Sequence, residues 1–114
     1  MGGSISPGLQ TRFRALHEFT ARLPLVEKDE SWPEFGSDTR TAIAAGVQQG
    51  IVNELDGYMT TFADRYPQCR FLMTGGDAAF FADRFKKPIF ADPDLVLKGL
   101  NHILEYNLHR NAHA

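Results

Sequence analysis

The sequence predicts an α/β fold in which helices alternate with short strands and flank a small mixed sheet. Three observations predict it. Apolar residues recur at helical spacing in two long stretches, residues 7–22 and 39–66. Brief apolar runs of strand length lie at residues 25–26, 69–73 and 89–91. Finally, Arg70-Phe-Leu-Met-Thr-Gly-Gly-Asp77 carries an apolar run through two glycines into a helix start, which reads as a strand–turn–helix unit.

Taken in order, residues 2–5 read as the tail of a strand whose partners would precede it. Ser6-Pro7 pairs an N-cap residue with a proline at the first helical position. Leu9, Phe13, Leu16, Phe19 and Leu23 then give residues 7–22 one apolar face, and Pro24 closes the helix. Leu25-Val26 is a short strand. Residues 27–36 are polar and contain Pro33, so they form a loop. Trp32 and Phe35 within that loop either cover the edge of a core or meet a second subunit.

Asp38 is an N-cap for the helix 39–66, roughly 40 Å long at 1.5 Å per residue. Ile43, Val47, Ile51, Leu55, Met59 and Phe62 form its apolar stripe. Gly46, Gly50 and Gly57 interrupt it, each costing about 1 kcal/mol relative to alanine. Together with Ala42, Ala44 and Ala45 they point to close packing against another helix. Pro67 stops the helix, the buried strand 69–73 follows, and Asp77 opens a helix over 77–85. Residues 89–91 are a last short strand. Asp92-Pro93 starts a closing helix with Leu95, Val96, Leu97, Leu100, Ile103 and Leu104 on one side and Gly99 within it. Residues 1–107 form one unit and 108–114 a frayed polar tail. His109 and His113 are spaced i, i+4 there, but with no third ligand they make a poor metal site.

The composition narrows the function. A chain of 114 residues is long enough for one domain with a core and short for a two-domain enzyme. The net charge of −2 gives no reason to expect a nucleic-acid partner, which would need a basic surface. Nor does a basic cluster suit an anionic membrane, and the apolar runs are too short to span a bilayer. Met1-Gly-Gly-Ser lacks the basic region and apolar run of a signal peptide. Cys69, the single cysteine, cannot form an internal disulfide, which points to the cytoplasm, and it reads as a small core residue.

The candidate site on residues alone is the bend at Gly75 and Gly76. A strand passing through paired glycines brings bare backbone close to whatever lies above the turn. A helix start adds unpaired N–H groups and partial positive charge, one way to build a nucleotide site. The same turn also occurs as a plain connection. Asp38, Asp77 and Asp92 all stand where helices begin and read as caps.

Four ordered motifs carry a resemblance. Gly2-Gly-Ser-Ile-Ser-Pro-Gly8 with Ala15-Leu16 and Thr20-Ala-Arg-Leu-Pro24 is similar to the middle of type III pantothenate kinases. Gly36-Ser-Asp-Thr39 with Ala42-Ile43 and Gly46 resembles the next motif, and Thr74-Gly-Gly-Asp-Ala78 the adenosine motif. Asp92-Pro-Asp-Leu-Val-Leu-Lys-Gly-Leu100 with Ile103 resembles the closing helix. The resemblance implies a ribonuclease-H-like half of the actin, hexokinase and sugar-kinase superfamily, lacking its first two strands. It implies transfer of the ATP γ-phosphoryl group to pantothenate, the first step towards coenzyme A. A divalent and a monovalent cation and a homodimer with a shared pantothenate pocket are implied as well. Thr39 matches the threonine that contacts pantothenate from the neighbouring subunit, and Gly75 and Gly76 match the adenosine motif. On residues alone, Thr39 has the alternative of sharing the cap with Asp38.

The phosphate loops, the cation site and the catalytic aspartate that phosphoryl transfer requires have no counterpart in this sequence. The expectation is that the chain is part of a kinase and has no kinase activity by itself. It carries no catalytic residue and no metal ligand on this reading. Two rivals stand beside it: a non-catalytic accessory protein of transcriptional regulation, and a half-domain that serves subunit association.

Overall fold

A computed structural model describes residues 2–92. The expected closing helix, residues 108–114 and the His109/His113 pair lie outside the described residues. The elements run α1 (Leu9–Glu18), α2 (Thr39–Ala44), a π-helical turn (Ala45–Gln49) and α3 (Gly50–Arg65), then β1 (Leu72–Met73), α4 (Ala78–Phe81), a 3-10 turn (Ala82–Arg84) and β2 (Phe90–Ala91). The chain divides into two compact units, one ending at Tyr58 and the other beginning at Met59.

In the first unit, α1 packs against the π-helical turn. Leu9, Phe13, Val26, Ile43, Val47, Ile51 and Val52 form its buried apolar core. The stripe on residues 43–59 advances in steps of four, and each step overshoots a 3.6-residue turn by about 40°. A wider turn with i→i+5 bonding absorbs that overshoot. Ile43, Val47 and Ile51 therefore all stay buried; beyond the turn Leu55 is half-buried, Met59 buried and Phe62 exposed.

Several expected elements are corrected. The N-cap of α1 is Gly8, not Ser6. Ser6 is spent elsewhere, hydrogen-bonding the Glu54 carboxylate. The helix ends at Glu18 rather than at residue 22. Beyond it the Thr20 hydroxyl donates to Leu16 O, and His17 Nδ1 lies 2.8 Å from Leu23 O, so the chain folds back before Pro24. Residues 2–5 and 25–26 form no strand. Val26 is buried without a ladder partner, and the nearby backbone of Asp29 is bound by a side chain instead. The close helix packing expected at Gly46 and Gly57 is not seen among the described residues, where a Cβ at either would meet no atom within 4 Å.

The second unit holds a two-stranded sheet among the described residues. Its two strands are parallel, with Leu72 opposite Phe90 and Met73 opposite Ala91. The strand expected over 69–73 shortens to two residues and is not buried: Leu72 is exposed and Met73 half-buried. Cys69, expected in the core, is half-buried. Ala78 and Phe81 are buried behind the sheet's connection, with Phe80 edge-on to Phe81 at 4.9 Å. No helix among the described residues is long and apolar enough to cross a membrane.

Candidate functional site

Two places carry the residues singled out by sequence, Thr39 in the first unit and Gly75-Gly76 in the second. Asp38 caps α2 from an extended backbone. Its Oδ1 accepts from Thr41 N at 2.8 Å and from Thr41 Oγ1 at 2.7 Å. Thr41 Oγ1 in turn accepts from Ser37 N at 3.0 Å and Asp38 N at 3.1 Å. This reciprocal cap answers several donors that the helix start would leave unpaired. The Thr41 hydroxyl, and then the Thr41 N–H, hold the Asp38 carboxyl below its ordinary pKa. The cap partner is thus Thr41. Thr39 takes no part and lies exposed as the first residue of α2.

Gly36 sets the approach to this cap. A Cβ there would overlap the backbone nitrogen of Ala42, so residue 36 must be glycine for the loop to lie against the first turn of α2. The loop is also fixed from the π-helical turn. Gln48, fully buried, donates from Nε2 to Asp29 O at 2.9 Å and accepts from Asp29 N at 2.8 Å. Gln49 Oε1 accepts from the Trp32 indole at 3.0 Å, so Trp32 covers the core edge. Phe35 remains 82% exposed. Arg40 Nη1 stands 3.5 Å from Asp29 Oδ2 and closes one side of an open groove of about 670 Å³ along residues 24–30.

Arg12 and Glu54 join α1 to α3. Arg12 Nη2 pairs with Glu54 Oε2, and Arg12 Nε donates to Pro7 O at 2.8 Å. The Arg12 guanidinium holds the Glu54 carboxyl below its ordinary pKa, with Ser6 adding to the effect and burial opposing it. None of Gln48, Thr41, Arg12 or Glu54 was singled out from sequence. Thr41 had a signal in its three-residue spacing from Asp38. Gln48 had one in sharing a face with Ala44 and Val52, both buried.

In the second unit, Gly75 has φ +106°, open to glycine and strained for other residues. Ala78 N closes the turn on Gly75 O at 3.2 Å. Gly76 has an ordinary φ, and a Cβ at either glycine would meet nothing within 4 Å. Among the described residues, no side chain therefore reaches the space directly above either glycine. It stands at the carboxyl end of β1, where Asp92 N donates to Met73 O at 2.8 Å and ties in the end of β2. Ligands of parallel α/β sheets bind at that end of the strands. Asp77 occupies the cap position of α4 without a side-chain capping bond, and α4 has only four residues. The bend can contribute shape and backbone groups, with little dipole behind it. Among the described residues no group of three or more His, Cys, Asp or Glu side chains is placed to hold a metal ion.

Comparison with known proteins places this chain. The family model for type III pantothenate kinase matches residues 1–61. The type III pantothenate kinase of Bacteroides fragilis strain YCH46 is 54% identical over 106 residues, covering 93% of this chain and 44% of that protein. The type III pantothenate kinase of Porphyromonas gingivalis strain W83 is 47% identical, covering 95% of this chain and 46% of its own length. The match falls in the C-terminal part of the relatives. The chain thus spans less than half the length of these relatives. A crystal structure from Campylobacter jejuni, described as a Baf family transcriptional activator, superposes with a TM-score of 0.63 at 24% identity, over 96% of this chain and 50% of that one, and supports the fold. The capped Gly36–Thr39 turn lies within the stretch that the family model matches, and the Gly75-Gly76 bend within the 93% of the chain that aligns with the Bacteroides relative at 54% identity, and by these matches the chain belongs to the type III pantothenate kinase family.

Proposed function

We propose that this chain is the carboxyl-terminal portion of an ATP-dependent pantothenate kinase, and that it supplies walls of the two substrate sites rather than the reacting groups. The observation that carries the reading is the 54% identity over 93% of the chain to a type III pantothenate kinase. The fold belongs, on this reading, to a ribonuclease-H-like half of the actin and sugar-kinase superfamily. The phosphoryl group passes from ATP to the pantothenate hydroxyl and gives 4′-phosphopantothenate. Divalent and monovalent cations are held, on this reading, by residues of the longer protein that lie outside this sequence.

Within that reaction Thr39 offers its hydroxyl to pantothenate. Its exposure and its absence from the Asp38–Thr41 cap support this role. Gly75 and Gly76 let the adenosine moiety approach bare backbone, supported by the open space above both. The protein works as a homodimer in the cytoplasm, with Thr39 presented to the neighbour's pocket. The exposed Phe35 and the open face at Gly46 support a second copy as the partner.

The experiment is steady-state kinetics on the longer protein that carries this chain. Thr39→Val should raise KM for pantothenate about tenfold, with KM for ATP unchanged, as removal of a uniform binding contact does. Gly76→Val should raise KM for ATP and leave KM for pantothenate alone. The 114-residue chain by itself should form no phosphopantothenate. Turnover by the chain alone, or a Thr39→Val protein with unchanged pantothenate kinetics, would refute the corresponding assignment.

A further inference from the structure

We propose that the second unit carries a separate binding site for a small amphiphilic anion, a molecule with an apolar body and a single anionic head. The site is an open groove of about 470 Å³, within the range of small-molecule sites. Its floor is Phe71, Pro88, Ile89 and Phe90, and the cations Arg70 and Lys87 border it. It lies where the chain enters β1 and β2, whereas the Gly75-Gly76 bend lies where the chain leaves β1. The groove is therefore not a part of the nucleotide wall.

Charge and apolarity together select the occupant. Arg70 and Lys87 form no ion pair with any described residue. A guanidinium and an ammonium that meet no described carboxylate, beside an apolar lining, favour a carboxylate or phosphate head, which a guanidinium can grip through two parallel hydrogen bonds. The floor cannot satisfy a polar body. Phe90 is 63% exposed, and contact with an alkyl or aryl group would remove that surface from water.

The test is an amide-shift titration of the 114-residue chain with octanoate, using octanol and acetate as body-only and head-only controls and octyl phosphate to compare head groups. Octanoate should shift the amides of Phe71, Ile89 and Phe90 in a saturable way, at least fivefold more tightly than octanol, with acetate showing no saturation. In Arg70→Gln/Lys87→Gln the octanoate advantage should vanish while octanol binding persists. Both residues reach solvent, so the double variant keeps the fold. Octyl phosphate binding more tightly than octanoate would assign the head as phosphate, and the reverse as carboxylate. Cys69, at the groove wall, gives a second readout: its reaction with the neutral 2,2′-dipyridyl disulfide should slow several-fold as octanoate fills the groove. Equal affinity for octanoate and octanol, shifts confined to other segments, or an advantage that survives the double substitution would overturn the proposal.

Discussion

Gly36 and Gly75 are both required glycines, for different physical reasons, while among the described residues neither space nor backbone angle requires glycine at 76. Residue 36 has no room for a Cβ beside Ala42. Gly36→Ala must therefore push the loop off the first turn of α2, at a cost of about 1–3 kcal/mol. Residue 75 has room but the wrong backbone for other residues, and Gly75→Ala should cost about 1–2 kcal/mol. Gly76→Ala should stay within about 0.5 kcal/mol. Urea unfolding of the three variants orders them, and a Gly76→Ala protein as unstable as Gly75→Ala would contradict the open geometry of the bend. The cap offers a parallel contrast. Thr41→Val removes the hydroxyl that binds Asp38, so it should lower Tm by about 4–8 °C, while Thr39→Val should leave Tm nearly unchanged. Thermal unfolding by circular dichroism reads both. At this scale the sequence was legible for Asp38 and for the turn at Gly75, because capping and left-handed turns are local, and not for Gly76, whose φ is ordinary. It was not legible for Gly36, whose constraint comes from a turn six residues away. Nor was it legible for Thr41, because threonine at that place is less familiar than glutamate.

The long apolar stripe illustrates what a periodicity can and cannot say about an element. It located a helical run over 39–65 and its start to the residue, yet a strict repeat of four drifts off one face of a straight α-helix. The π-helical turn resolves the mismatch and turns Gln48 inward, where its amide holds Asp29 on both sides. The α1–α3 pairing was hidden for another reason: Arg12 and Glu54 are 42 residues apart, and nothing local marks them as partners. That pairing has a pH signature. The Glu54 carboxyl sits below its ordinary value of 4.5 in the folded chain, so the unfolded chain takes up its proton first on acidification. The contribution is present in full above about pH 4.5 and is lost as pH falls through the lower, folded value. Glu54→Gln should cost about 1 kcal/mol at pH 7 and flatten the decline of stability between pH 5 and 3, roughly the titration range of a carboxylate. An unchanged pH profile in this variant would show that other carboxylates govern acid unfolding.

Across the whole molecule, helix content was more legible than sheet content. Helices announce themselves through caps and periods within one segment, whereas a strand is defined by its partner. The run 25–26 looked like a strand and has no ladder, and the run 69–73 kept only Leu72 and Met73. The alternation of helices and strands holds only from α3 onward, through β1, α4 and β2, and the parallel pairing of β1 with β2 follows from the α4 connection, since parallel neighbours need a crossover. This difference sets an expectation for stability along the chain. Residues 43–52 combine helical hydrogen bonds with burial of Ile43, Val47, Gln48, Ile51 and Val52. The sheet rests on the bonds from Phe90 N to Phe71 O and Asp92 N to Met73 O, with Leu72 and Phe90 exposed beside them. Amides that exchange only when a buried core unfolds exchange slowest, and those in thin, exposed ladders exchange through local opening. Native-state hydrogen exchange should therefore find the amides of residues 47–52 protected by at least about tenfold more than those of Phe90 and Asp92, a free-energy gap of about 1.4 kcal/mol or greater. Equal protection would mean that the two strands open only when the helical core does, and the division of the chain at Tyr58 would then have no thermodynamic counterpart.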